Sequence, residues 1–432
     1  MSQIAAIHQA FLSCSKVSTD SRGDNTNALF IALKGDNFDG NKYALDVLNK
    51  GAAFAIVSDP ALAANKNTFI VDDTLQTLQE LANFHRRYLE IPIVAITGTN
   101  GKTTTKELVA AVLAKKFNIK ATSGNFNNHI GVPLTLLSMD KSLDIGIVEM
   151  GANHVGEIEL LCKIAEPNYG LITNVGKAHL EGFGSFEGVK TAKGELYQYL
   201  KNNNGFLFIN KDNEYLQEMA NTISNRTEYG IESGSIKGHI TNNNPFIELE
   251  WQTVDNTKKQ ASTQLIGDYN LENILSAICI GHHLGVSTND INKAIQDYTP
   301  TNNRSQFIQS DSNQIIMDAY NANPSSMQVA IQNFANIEAN NKVLILGGMK
   351  ELGDDCISEH KKLISQISNL QFDKAMLIGQ EFDKLSIDTS NIEHFTDNES
   401  LISRIKKSPF QNSYILIKGS RSNKLEEILE YI

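Results

Sequence analysis

The 432-residue chain is long enough for about three domains of roughly 150 residues, and its 41% hydrophobic and 20% charged residues form an ordinary globular mix. Its 38 basic side chains against 49 acidic ones leave a net charge of −11, which argues against a general binder of nucleic acid or anionic membrane but leaves room for a local phosphate site. There is no run of about 20 apolar residues, no basic-plus-apolar leader in MSQIAAIHQAFLSCSK, and no CxxC among Cys14, Cys162, Cys279 and Cys356, so a cytoplasmic protein with reduced thiols, not embedded in a membrane, is expected.

The first block, residues 1–88, carries short β-like runs at 28–33, 52–57 and 68–71 and a helical stretch at 75–88. The second, 89–301, opens with the apolar strand Ile93-Val94-Ala95-Ile96-Thr97 and runs through a glycine-bearing turn into a helix ending near Lys116. Strands at 144–149, 169–174 and 206–210 alternate with helices, the pattern of parallel βαβ units. Polar-alternating runs at 246–252 and 263–266 predict an antiparallel flap, and a helix over 270–285 closes the block. The polar stretch TPTNNRSQ (299–306) reads as a hinge into a third block, 302–432, with strands at 314–318, 342–346, 374–378 and 414–417. The expected fold is α/β in three domains: a small mixed α/β N-terminal domain, a central P-loop-type parallel-sheet domain, and a smaller C-terminal doubly wound, Rossmann-like domain.

IVAITGTNGKTTTKEL (93–108) is the strongest local signal. Gly98 and Gly101 let the backbone curl so that successive N–H groups face phosphate oxygens at a helix N-terminus. Lys102 can reach the terminal phosphates and the Thr103 hydroxyl can ligate magnesium. Ile96 stands where the usual pattern has its first glycine, and the loop itself leaves ATP against GTP open. Glu149 ends a parallel strand and is a candidate magnesium ligand, the alternative being a solvated strand-end acid. His179 follows the next strand, and a lone histidine carries little weight. In the helix predicted at 186–200, capped by Ser185, Lys193 falls on the apolar stripe of Val189, Leu196, Tyr197 and Leu200. Spacing alone favours snorkelling to the surface. The other reading is a buried, neutral amine that takes up carbon dioxide as a carbamate, an anionic oxygen ligand.

Together, GTNGKTTTKE (98–107), GNFNNHIGVPLTLL (124–137), EMGANHVGEIE (149–159), ITNVGKAHLEGFGSFEGVKTAKGE (172–195), DAYNANPSSM (318–327), GGMKELG (347–353) and KGSRS (418–422), with STDSR (18–22) and ALKGDNFDGN (32–41), resemble the Mur ligases over essentially the whole chain. The resemblance implies an ATP-dependent amide ligase of peptidoglycan synthesis, joining D-alanyl-D-alanine to a UDP-N-acetylmuramoyl tripeptide through an acyl phosphate, and working as a monomer. It implies that Ser21, Arg22 and Lys34 hold the UDP end. Gly98, Thr99, Asn100, Gly101, Lys102, Thr103 and Thr104 would cradle the phosphates, with Asn270 and Asn273 on the adenine side. Arg304 and Asp318 would meet the nucleotide when the third domain closes. Two magnesium ions are implied, one on Thr103 and Glu149, the other on His179 and a carbamylated Lys193. Asn125 and Asn128 would lie near the muramoyl peptide, and Arg421 would take the dipeptide carboxylate. Asn303, before Arg304, departs from the family, where glycine is common. An amide ligase of another branch, or a P-loop ATPase that forms no amide, are the rival readings; DAYNANP and GGMKELG weigh against the first, and the UDP-type motif against the second.

Overall fold

The computed structural model describes residues 2–178, 180–387 and 389–432, the side chain of Leu180 excepted. Three main sheets follow one another along the chain. Strands Lys16–Ser18, Ala28–Ile31, Phe54–Val57 and Thr68–Ile70 lie side by side, all parallel, with a two-stranded antiparallel ribbon at Lys34–Gly35 and Phe38–Asp39. A nine-stranded sheet comes next, with Ile93–Thr97 third from one edge, between Tyr169–Ile172 and Ile145–Glu149. The third has six strands, in the order Gln306–Gln309, Gln314–Asp318, Tyr414–Lys418, Lys342–Gly347, Lys374–Ile378, Ile392–Phe395; only the first runs antiparallel to its neighbour.

One expectation is corrected. The antiparallel strand expected at 246–252 is present, at Glu248–Thr253, but as part of the main sheet and not of a flap. Strands Ile236–Asn242, Glu248–Thr253 and Lys258–Ser262 extend the edge of the nine-stranded sheet itself, the last two pairings antiparallel, and residues 263–266 are not a strand. The polar alternation of this segment has a simple cause: an edge hairpin with one solvated face alternates, whereas a strand covered on both faces does not.

Period-two alternation sorts the strand residues onto two faces. In the third sheet Leu344 and Leu346 face the helices Pro324–Asn336 and Cys356–Asn369, while Val343 and Ile345 face Asn398–Lys407 and the C-terminal turn. The first two sheets are joined more closely. One apolar cluster runs from Ile7, Leu29 and Ile56 through Leu78 and Leu81 to Ile93, Val132 and Leu161. The helix Thr74–Leu89 carries this shared core and is riveted by Arg86, which donates to Ala165 O (2.8 Å), Glu166 O (3.1 Å) and Asn168 Oδ1 (2.9 Å) at the end of helix Glu157–Ala165.

Buried histidines link the same elements. His85 Nε2 lies 2.9 Å from Met139 O, and His85 Nδ1 lies 3.0 Å from His8 Nε2. With Nε2 donating to the carbonyl, Nδ1 can only accept, so the pair is satisfied when both rings are neutral. Burial, and then the neighbouring His85, push His8 from 6.5 down to about 4, and burial lowers His85 too. The folded state therefore binds fewer protons than the unfolded one between these values, and stability falls as pH drops from 6.5 towards 4. Thermal midpoints measured across that interval should decline, and His8→Phe should flatten the decline; an unchanged slope would remove His8 from the cause.

Candidate active site

The strand Ile93–Thr97 is fully buried and ends at the phosphate loop, whose Gly98 (φ 141°) and Gly101 (φ 77°) adopt backbone conformations that favour glycine. A side chain at Gly98 would run into the Thr173 hydroxyl, and one at Gly101 into the Asn273 amide. The loop is held from outside: Thr173 Oγ1 donates to Asn100 O at 2.6 Å and Asn100 N donates to Asn174 Oδ1 at 3.0 Å. Lys102 curls back to donate to Gly98 O (2.8 Å) and Thr99 O (3.0 Å). Burial lowers its pKa against the pull of Glu149, and the charge of Arg304 adds to the lowering.

Glu149, 2% exposed, sits at the carboxyl end of its strand with each oxygen taken. Thr103 Oγ1 donates to Oε2 at 2.9 Å and Asn127 Nδ2 to Oε1 at 2.7 Å. A hydroxyl and a carboxylate converging beside the phosphate loop are hard oxygen donors of the kind magnesium takes, so the residues fit the ion.

Lys193 does not snorkel. On helix Phe186–Asn202, whose N-cap Ser185 accepts from Gly188 N as the sequence suggests, it is 3% exposed and points inward to Ala152 O (3.4 Å), with the Phe183 ring 5.2 Å from its ammonium. Spacing misjudged this position because a lysine stem escapes only where a helix edge meets water; the helices Leu180–Phe183 and Glu157–Ala165 pack against this one. Burial, then the charge of Lys102, bring Lys193 down to about 7 against the opposing pull of Glu157 and Glu195. Near neutral pH much of it is the free amine, which is the form that reacts with carbon dioxide.

The third sheet faces this assembly across a cleft of about 780 Å³ bordered by residues 99–104, Glu149, Asn125, Asn128, Asn270, Asn273, Arg304, Asp318 and Arg421. Asn100 bridges the two sides: its Nδ2 donates to Ser325 Oγ (3.0 Å), and Asn323 Nδ2 donates to its Oδ1 (2.8 Å). Asp318 is paired with the buried Lys418 at 2.6 Å. Arg304 lies on the Tyr320 ring, its guanidinium carbon 3.7 Å from the centroid.

Several of the other expected residues are held by the protein itself. Asn270 and Asn273 border the cleft, but their amides bond inward: Asn273 takes the Thr105 hydroxyl (3.0 Å) and donates to Asn270 (2.9 Å), which donates to Ile266 O (2.8 Å). Asn128 Oδ1 accepts from Ile130 N and Gly131 N, starting helix Gly131–Leu137, so Asn127 rather than Asn128 touches Glu149. Ser21, Arg22 and Lys34 lie on the N-terminal unit and do not border the cleft; Arg22 pairs with Asp20 at 2.9 Å. His179 lies outside the described residues. Sequence reasoning missed Thr173, Asn174, Asn127, Tyr320 and Lys418. Lys418 had a usable signal, since it ends an apolar strand just as Glu149 does.

Comparison with known families decides the assignment. The Mur ligase middle domain matches residues 96–281, the Mur ligase glutamate ligase domain matches 303–421, and the Mur ligase family catalytic domain matches 14–86. The chain belongs to the Mur ligase family. Relatives named UDP-N-acetylmuramoyl-tripeptide–D-alanyl-D-alanine ligase occur in Bacillus subtilis (34% identical, covering 96% of this chain and 92% of the relative) and in Escherichia coli K12 (34%, with the same coverages). Among solved structures, MurF from Acinetobacter baumannii superposes with a TM-score of 0.89 at 29% identity over 99% of this chain and 97% of its own. MurF ligase from Thermotoga maritima in complex with ADP gives 0.86 at 26% over 98% and 97%. The three sheets are thus those of a three-domain Mur ligase, and no helix among the described residues is long and apolar enough to cross a membrane.

Proposed function

We propose that this Mur ligase is an ATP-dependent UDP-N-acetylmuramoyl-tripeptide–D-alanyl-D-alanine ligase of cytoplasmic peptidoglycan synthesis. The observation that carries the reading is the meeting, in one cleft, of the phosphate loop with Thr103–Glu149 on one side and Arg304 and Arg421 on the other, beside the buried Lys193. Full-length relatives bearing that name support it.

Carboxylates are poor acyl donors, so activation comes first. An oxygen of the tripeptide carboxylate bonds to the γ-phosphorus of ATP as the bond to ADP breaks, giving an acyl phosphate. The free amine of D-alanyl-D-alanine then attacks that carbonyl, loses a proton, and expels phosphate as the amide forms. Lys102 and the loop N–H groups act by positioning and by spreading charge. Magnesium supplies neutralisation of the phosphate oxygens when bound. In this proposal Thr103 and Glu149 hold one ion, and a carbamylated Lys193 with His179 holds a second, His179 being assigned on the family resemblance alone. Residues 1–88, with Ser21, Arg22 and Lys34, take the UDP end; 89–301 take ATP, with Asn270 and Asn273 towards the adenine; 302–432 close on both. Asn125 and Asn128 face the muramoyl peptide and Arg421 the dipeptide carboxylate. Water exclusion by the third domain protects the acyl phosphate.

The test is phosphate release from ATP and magnesium with UDP-N-acetylmuramoyl-tripeptide, plus and minus D-alanyl-D-alanine. Release that needs both substrates and matches pentapeptide one-for-one is expected. Release indifferent to both would leave an ATPase without ligase function.

A further inference from the structure

Two guanidiniums share one aromatic ring in the cleft. Arg304 stands 3.7 Å and Arg421 5.2 Å from the centroid of Tyr320. Strand register explains the meeting. Asp318 is paired with Lys418 across parallel neighbours, so Tyr320 and Arg421 leave the same end of adjacent strands. Gln306 is paired with Met317 across the antiparallel edge, which brings Arg304 to that end as well.

We infer that Tyr320 is a positioning residue that couples the nucleotide-phosphate site to the dipeptide-carboxylate site by holding both arginines; this rests on the ligase reading above. Arg304 Nε is buried and has no hydrogen-bond partner among the described residues, so its plane is set by the ring rather than by that nitrogen. Arg304 borders the same cleft as Lys102, whose pKa its charge helps to lower. A ring face attracts each cation, but two cations on one ring repel each other. An anion that neutralises Arg304 removes that repulsion and leaves Arg421 better held for a second anion. Nucleotide and dipeptide should therefore favour each other's binding.

Steady-state kinetics on the full-length parent, Tyr320→Phe and Tyr320→Leu test this, with the melting temperature of each as a control. Tyr320→Leu should raise the KM of ATP and of D-alanyl-D-alanine roughly three- to tenfold each, with a smaller fall in kcat and little change in the KM of the UDP-muramoyl tripeptide. Tyr320→Phe, which keeps the ring, should bring both KM values back towards the parent. In the parent the KM of D-alanyl-D-alanine should fall as ATP is raised towards saturation, and in Tyr320→Leu it should not. Parent-like KM values in Tyr320→Leu overturn the coupling, as do a Phe variant as impaired as Leu or a uniform rise in all three KM values. A parent that forms no product from D-alanyl-D-alanine removes the ligase reading itself, and the coupling with it.

Discussion

Lys193→Ala is expected to lower ligation about a hundred- to a thousandfold or more, to the edge of detection, because it removes the side chain proposed to carry the anionic ligand of the second ion. Bicarbonate should not restore the variant, since no amine is left to modify, whereas a short-chain carboxylic acid entering the vacated space should restore part of the rate. The stability of a matched variant separates chemistry from packing. Among the described residues the ammonium of Lys193 has one long bond, 3.4 Å to Ala152 O, against nearly complete burial. Lys193→Met, which fills the same apolar stripe without a buried cation, should melt no lower than the parent while remaining inactive. Parent-level activity in either variant would take Lys193 out of the site. A melting temperature well below the parent's in Lys193→Met would mean that the amine is structural.

Glu149→Gln should cost about a hundredfold or more in kcat/KM and raise the magnesium concentration for half-maximal rate roughly tenfold. The substitution is nearly isosteric and can keep both neighbours, its Oε1 accepting from Asn127 Nδ2 and its Nε2 donating to the Thr103 hydroxyl, so what it removes is the negative charge and one oxygen that the ion would use. An unchanged magnesium requirement with a few-fold loss of rate would mean that Glu149 only braces Asn127 and Thr103.

What could be read from the chain follows the reach of each signal. Strands 206–210, 314–318 and 374–378 are legible to the residue because they are buried on both faces and bounded by turn residues. Short edge strands such as Ile119–Ala121 and Ile392–Phe395 have too few residues to announce a period. The phosphate loop and Glu149 were legible because strand-to-turn-to-helix chemistry is local. That Asn127 is the one that touches Glu149 was not, since three asparagines in four residues differ only in which way the loop turns them. The hinge shows the same limit. Asn303 adopts φ 55° with Asn302 at 65° and Ser305 at 48°, so the left-handed path runs here without a glycine to announce it.

The apolar cluster that joins the first two sheets bears on how this enzyme can be cut apart. Cutting after residue 88 would expose Leu78, Leu81, Ile93 and Val132 at once and remove the acceptors of Arg86, so neither piece would keep the face that holds it together. Residues 306–432 own most of their core, two layers on either side of their sheet, and meet the remainder through Ile266 and Phe246 as well as through the polar contacts of Asn100. By its packing the chain falls into two parts, although it carries three main sheets. The shared cluster makes one frame of the phosphate loop and the first sheet and keeps their spacing fixed, whereas the third sheet rests on cores of its own.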